Sequence, residues 1–323
     1  MKTRITEILG IKYPIIQGGM QWLAIAEFAA EVSNCGCMGF INSTNFTEPE
    51  QLSEEIKKAK NLTDKPFGVN ISMLPEASAH DLTQAYFDVV VREGVAAVET
   101  SGRSPEEYVP LLKKAGIPLI HKVPAVRFAK KAVTIGADIV TLVGVEGGGH
   151  PGLDEVSMQI LVNRASRELP VPVIAAGGIA NGRAMAAALA LGAEGVVVGT
   201  RLLATKECIA HENLKKWIVE ANETYTTLIM KSIRNTLRAI NNEAAMKVLE
   251  MEARGASLEE LLTVISGKIG REAILEGDID TGTITVGQCV GLINDIKTIR
   301  ETLEDMVLEA KEASERLQNT LND

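Results

Sequence analysis

Aromatic side chains are scarce, at 4% of 323 residues. The core must therefore be built from small aliphatic residues, and hydrophobic residues still make up 46% of the chain. Ala, Val, Ile, Leu and Gly dominate, a balance that lets helices lie close against a sheet and points to α/β layers. Cysteine is nearly absent too: Cys35, Cys37, Cys208 and Cys289 include one C-x-C but no C-x-x-C and no Cys/His spacing suited to zinc. A disulfide framework and a metal site are not expected; four reduced, mostly buried thiols in a cytoplasmic protein are. Positive charge is in deficit, with a net charge of −9. That argues against nucleic acid as a partner, although backbone amides can still hold a small anionic ligand. No apolar run approaches the roughly 18 residues of a membrane span. The opening MKTRITEILGIKYPIIQ is too polar for a signal peptide.

What is present is a regular alternation. Apolar, β-branched runs occur at 14–19, 38–44, 67–72, 96–102, 118–123, 138–144, 171–178 and 195–200. Amphipathic stretches separate them at 23–35, 49–60, 81–93, 106–115, 125–135, 156–169 and 182–191. Strands alternating with helices imply parallel pairing, and eight units imply closure into a (β/α)8 TIM barrel. After residue 200 the pattern changes. Residues 208–277 are predicted to be almost wholly helical, an inserted subdomain before the last barrel helix. VGQCVGLIND (286–295) is predicted to supply that last helix. The tail from 296 to 321 is a long charged amphipathic helix that packs on the barrel or contacts a second copy in a homodimer. The expected division is a barrel of 1–207 plus 278–323 and a lid subdomain of 208–277.

Barrel enzymes carry their chemistry at the carboxyl ends of the strands, and several ends here are unusual. IAAGGIANG places Gly177 and Gly178 after the seventh strand, and VVVGTR places Gly199 and Thr200 after the eighth. Loops in these positions commonly bind phosphate, because glycine lets consecutive N–H groups approach an anion. PIIQGGMQW ends the first strand with Gly18, Gly19 and Met20, where a flat ring can lie against backbone. GVEGGGHPG follows the sixth strand. Its Gly149 and neighbours are costly in chain entropy, which makes sense if they bring backbone close to a ligand and present His150 for proton transfer or hydrogen bonding. Asn70 ends the third strand. Lys122 ends the fifth and is expected to point inward, with His121 pointing outward, because side chains alternate.

Taken together, PIIQGGMQW, FGVNISMLP, IHKVPAVRFAKKA, GGGHPG, AAGGIANGR and VGTRLLATKEC resemble, in family order, the nitronate monooxygenase superfamily of FMN-binding TIM barrels. That superfamily also includes flavin enoyl-acyl-carrier-protein reductases and NADH:quinone reductases. SIRNTLR (232–238), EARG (252–255) and HK-x-x-A-V-R (121–127) resemble the quinone-reductase branch. The resemblance implies non-covalent FMN contacted by Gly19, Met20, Asn70, Lys122, Gly177, Gly178, Gly199 and Thr200. It implies NADH or NADPH as co-substrate and a quinone or similar small molecule as acceptor, with alkyl nitronates or an enoyl thioester as the alternatives. His150 matches the histidine with which nitronate monooxygenases deprotonate a nitroalkane. Two departures stand out. LP (74–75) is followed by Glu76, Ala77 and Ser78 where the branch has T-Q-K, and the histidine loop has Gly147 and Gly148 where the branch has Cys and Ala.

Overall fold

Period-two alternation becomes an inside and an outside once the strands close on one another. The computed structural model describes residues 1–73 and 82–322. Its parallel strands are β1 (Ile15–Gln17), β2 (Gly39–Asn42), β3 (Phe67–Met73), β4 (Ala97–Gly102), β5 (Leu119–Val123), β6 (Ile139–Val143), β7 (Val173–Ala176) and β8 (Gly195–Val198). Each pairs with its neighbour in sequence, and β1 pairs with β8. A parallel bridge between Ile16 and Met38 joins β1 to β2 and completes the ring. Ile16, Met38, Phe40, Ala97, Ile120, Ile139, Ile174 and Val197 fill the interior. The alternate residues, such as Ile15, Ile41, Val69, Val98, Leu119 and Val140, face the surrounding helices. This is the expected TIM barrel.

Helix α1 (Arg4–Leu9) puts Ile5 and Leu9 into the interior cluster. The outer ring follows the predicted amphipathic stretches: α2 (Ala26–Asn34), α3 (Pro49–Leu62), α4 (Thr83–Glu93), α5 (Val109–Ala115), α6 (Val126–Ile135), α7 (Met158–Glu168) and α8 (Gly182–Ala190). Gly94, Gly116 and Gly136 stop α4, α5 and α6 in the left-handed conformation. Beyond β8 come α9 (Thr200–Leu203), α10 (Glu212–Glu220), β9 (Thr226–Ile229), β10 (Leu237–Ile240), α11 (Glu243–Ala253), α12 (Leu258–Ile265), α13 (Gly267–Glu276) and α14 (Ile299–Asn322).

Two expectations fail here. The inserted region is not wholly helical, because β9 and β10 form an antiparallel hairpin. TTLI and LRAI are short strands embedded in apolar sequence that also fits a helical period. Between them Met230 (φ 61°) and Arg234 (φ 57°) take left-handed conformations that no helix continues through. The main-chain N–H groups of Met230 and Ser232 are held by the Glu252 carboxylate at 2.9 and 2.7 Å. Nor does 286–295 form the last barrel helix. It makes only a 3-10 turn at Gln288–Leu292, packed so tightly that a Cβ on Gly287 would lie 2.7 Å from the Glu146 oxygen. The outer position beside α8 is taken by α14, where a Cβ on Gly182 would lie 2.3 Å from the Met306 oxygen.

Candidate active site

All eight strands run the same way, so their carboxyl ends share one rim. On the inner wall of that rim lies a polar cluster. Glu99 of β4 has the same side-chain parity as Ala97 and points inward, fully buried. One of its oxygens, Oε2, accepts from Asn70 Nδ2 at 2.6 Å and from Lys122 Nζ at 3.0 Å. Lys122 shares its face with Ile120, so the expected inward orientation holds, and its side chain is 19% exposed at the mouth. Asn70 Oδ1 accepts from Ser72 Oγ at 3.1 Å. Its amide lies against the first strand end: a Cβ on Gly19 would sit 2.5 Å from Asn70 Cγ. Sequence reading missed Glu99. The available signal was a single acid in the inward register of an otherwise apolar strand.

Beside Gly19, the N–H of Gly18 donates to the Val198 oxygen at 2.9 Å, which puts the ends of β1 and β8 side by side. Met20 follows, half-buried against the outer core. Gly199 has open space where a side chain would be, with nothing within 4 Å. Thr200 is buried, and its hydroxyl oxygen accepts from Gly287 N at 3.0 Å. Gly177 and Gly178 both have left-handed φ, +102° and +77°. The two glycine turns thus follow adjacent strands on one rim.

The histidine loop is fastened at several points. Gly177 packs on its base, where an added Cβ would come 3.2 Å from Gly144 O and Gly147 N. The Glu146 carboxylate accepts from Met158 N at 3.0 Å, and the Glu146 carbonyl accepts from Gln288 N at 2.9 Å. The firmest attachment is to β10. Arg238 N donates to Gly149 O at 2.7 Å, Gly149 N donates to Arg238 O at 3.2 Å, and Arg238 Nε donates to Val145 O at 2.7 Å. His150 Nδ1 lies 3.1 Å from Thr236 O. A carbonyl only accepts, so Nδ1 carries the hydrogen and Nε2 is left for a ligand. The residue is exposed by surface area, yet the surrounding protein keeps water from part of the ring. That desolvation lowers its pKa below the usual 6.5, and the oxygens of Thr236 and Asn235 pull it partly back.

Other titratable groups drop out as nucleophiles. Burial pushes Cys35, Cys208 and Cys289 up to about 11 and Cys37 higher still, so none is a ready thiolate. His121 faces outward, buried, with Nδ1 2.8 Å from Thr100 Oγ1. Residues Glu76, Ala77 and Ser78, which stand where the quinone-reductase branch has T-Q-K, lie outside the described residues.

A closed parallel barrel with glycine turns, a lysine–carboxylate pair and a mounted imidazole on its carboxyl rim is the architecture of a barrel enzyme with its site at the strand ends. The family can be named. Residues 2–309 match the nitronate monooxygenase family, and the chain belongs to it. It is therefore an oxidoreductase, and membership implies a flavin cofactor. The structure is similar to that of FabK from Thermotoga maritima, with 37% identity, a TM-score of 0.92 and 99% of each chain covered. The sequence is 31% identical, over 96% of each chain, to the (3aS,4S,5R,7aS)-5-hydroxy-7a-methyl-1-oxo-octahydro-1H-indene-4-carboxyl-CoA dehydrogenase of Rhodococcus jostii (strain RHA1). It is 30% identical to a probable nitronate monooxygenase of Staphylococcus saprophyticus, over 98% of this chain and 99% of that one.

These relatives give no support to the quinone-reductase branch. The structure shows why its motifs were poor guides to an acceptor. In SIRNTLR, Arg238 is spent on the histidine loop; in EARG, Glu252 caps the hairpin turn. In HK-x-x-A-V-R, His121 faces the outer layer and Arg127 pairs with Asp154.

Proposed function

We propose that this protein is an FMN-dependent enoyl-thioester reductase that uses NADH or NADPH. The observation that carries the reading is the mounting of His150: Nδ1 is committed to Thr236 O, which leaves Nε2 as the ring atom able to exchange a proton with a ligand. The likeness to FabK and to a carboxyl-CoA dehydrogenase, over nearly the whole chain in each case, favours a thioester as its partner.

The rim suits a flavin. Among the described residues, the buried side-chain polar atoms without a hydrogen-bond partner are Ser43 Oγ, Glu99 Oε1, Thr141 Oγ1 and Thr236 Oγ1. Ser43 follows β2, Glu99 and Thr141 lie on the inner wall, and Thr236 adjoins His150. Such groups are costly unless a ligand or water satisfies them, and a flat ring edged with polar atoms suits that distribution. Gly18, Gly19, Met20, Asn70, Lys122 and Gly149 would hold the ring. The N–H groups of Gly177, Gly178, Gly199 and Thr200 would hold the phosphate. When bound, FMN supplies the relay of two electrons between nicotinamide and alkene.

The protein's own part is positioning and proton handling. The net reaction adds a hydride equivalent at the β carbon of the enoyl thioester and a proton at the α carbon. His150 Nε2 gives that proton, and in the reverse direction takes it. Lys122, paired with Glu99, would lie beside the ring. The 208–277 insert would form the substrate-facing lid over the barrel of 1–207 and 278–323.

The test is anaerobic stopped-flow. NADH or NADPH is expected to bleach the bound flavin and crotonyl thioester to restore its colour. A flavin that neither nicotinamide reduces, or one that crotonyl thioester cannot reoxidise, defeats the reading. Rapid oxygen consumption with ethylnitronate in the same preparation would instead favour nitronate oxidation.

A further inference from the structure

Lys122 is not a free cation at the barrel mouth. Its ammonium is paired at 3.0 Å with Glu99, a carboxylate that is fully buried. The same oxygen holds the Asn70 amide at 2.6 Å, and Asn70 in turn lies directly beneath Gly19, where a ring would rest. One buried acid on β4 thus governs two rim groups from neighbouring strands. Its other oxygen, Oε1, has no hydrogen-bond partner among the described residues. With one partner fully buried and the other mostly so, water screens this pair less than it would a surface pair. The charge that Lys122 presents to a ligand is therefore largely cancelled before any ligand arrives.

We propose that Glu99 is the positioning and charge-setting residue of the cofactor site: it fixes Asn70 and Lys122 in place and holds the flavin's reduction potential below what an unpaired lysine would impose. The proposal rests on the FMN reading above but not on the identity of the substrate. A reduced flavin ring is more negative than an oxidised one, so an uncompensated ammonium nearby favours the reduced state. Replacing the carboxylate by its neutral isostere leaves the Asn70 and Lys122 contacts sterically possible while removing the counter-charge. A purely structural carboxylate would alter stability or FMN affinity without moving the potential in a charge-dependent direction.

The experiment is an equilibrium redox titration of the holoenzyme against a reference dye, with no nicotinamide or thioester present. Wild type, Glu99→Gln, Lys122→Met and the double variant are compared. Glu99→Gln is expected to favour reduced over oxidised FMN at least tenfold, a positive shift of about 30 mV for two electrons. Lys122→Met, which leaves the acid unpaired, is expected to shift the potential the opposite way. The double variant is expected to return close to wild type. Should Glu99→Gln fold poorly, the double variant must still lie positive of Lys122→Met. A Glu99→Gln holoenzyme with the wild-type potential, or a double variant no different from Lys122→Met, overturns the proposal. Failure of the crotonyl assay alone leaves it standing, whereas failure to take up FMN defeats both.

Discussion

His150 Nδ1 sits 3.1 Å from the main-chain oxygen of Thr236, a residue 86 positions further along the chain. This contact orients the imidazole, and it comes from the turn that leads into β10, beyond the eight parallel strands. The candidate catalytic group is therefore set by two parts of the chain that share no local sequence.

The first prediction concerns that imidazole. His150→Ala should lower kcat for thioester reduction by about 10² to 10⁴, the usual share of general acid–base catalysis, with FMN still bound. The pH profile of the wild type carries the sign. The imidazolium form donates the proton, and its pKa lies below 6.5. Reduction should therefore be fastest at low pH and fall as pH rises through that pKa. Deprotonation of a nitroalkane would show the reverse limb. Steady-state rates from pH 5 to 8 decide between them, and a profile unchanged in His150→Ala removes His150 from the chemistry.

Arg238 is the second target. It joins β10 to the histidine loop through Val145 O and also reaches Thr226 Oγ1 at 3.0 Å. Arg238→Met should cost about 1–3 kcal/mol by leaving a loop carbonyl unpartnered, seen as a lower Tm. Because the loop loosens, kcat should fall as well, while the affinity for FMN changes little. A variant with the wild-type kcat would show that the latch does not control the imidazole.

Gly19 tests the floor under the ring. Gly19→Ala puts a methyl 2.5 Å from Asn70 Cγ, and such overpacking costs about 1–3 kcal/mol. Displacing Asn70 should weaken FMN binding by an order of magnitude or more, read by fluorescence titration of the apoprotein. Undiminished affinity would mean that Asn70 and Gly19 lie away from the cofactor.

A stability prediction comes from His121. Burial holds its pKa down to about 4 against 6.5 in the unfolded chain. The folded state keeps the ring neutral, so its stability is fully present above pH 6.5 and falls as the pH drops towards 4. The loss is on the order of 3 kcal/mol. His121→Gln should flatten the fall in urea-derived stability between pH 6.5 and 4; an unchanged slope would assign the acid sensitivity elsewhere.

The amino-acid sequence on its own determined the eight strands, their parallel order and the seven helices between them, because each depends on periodicity over a few residues. It also marked the rim, since glycine pairs at Gly18–Gly19, Gly177–Gly178 and around His150 stand out where strands end. Side-chain alternation was enough to turn Lys122 inward. Tertiary structure alone decided what those groups touch. Glu99 became the hub of the inner wall only when β3, β4 and β5 came into register. The β9–β10 hairpin was hidden because short apolar strands and amphipathic helix share composition, and only pairing across the turn, with Glu252 capping it, separates them. The last barrel position went to α14 because Gly182 of α8 leaves room for its backbone, a fit between surfaces more than a hundred residues apart that no local pattern encodes.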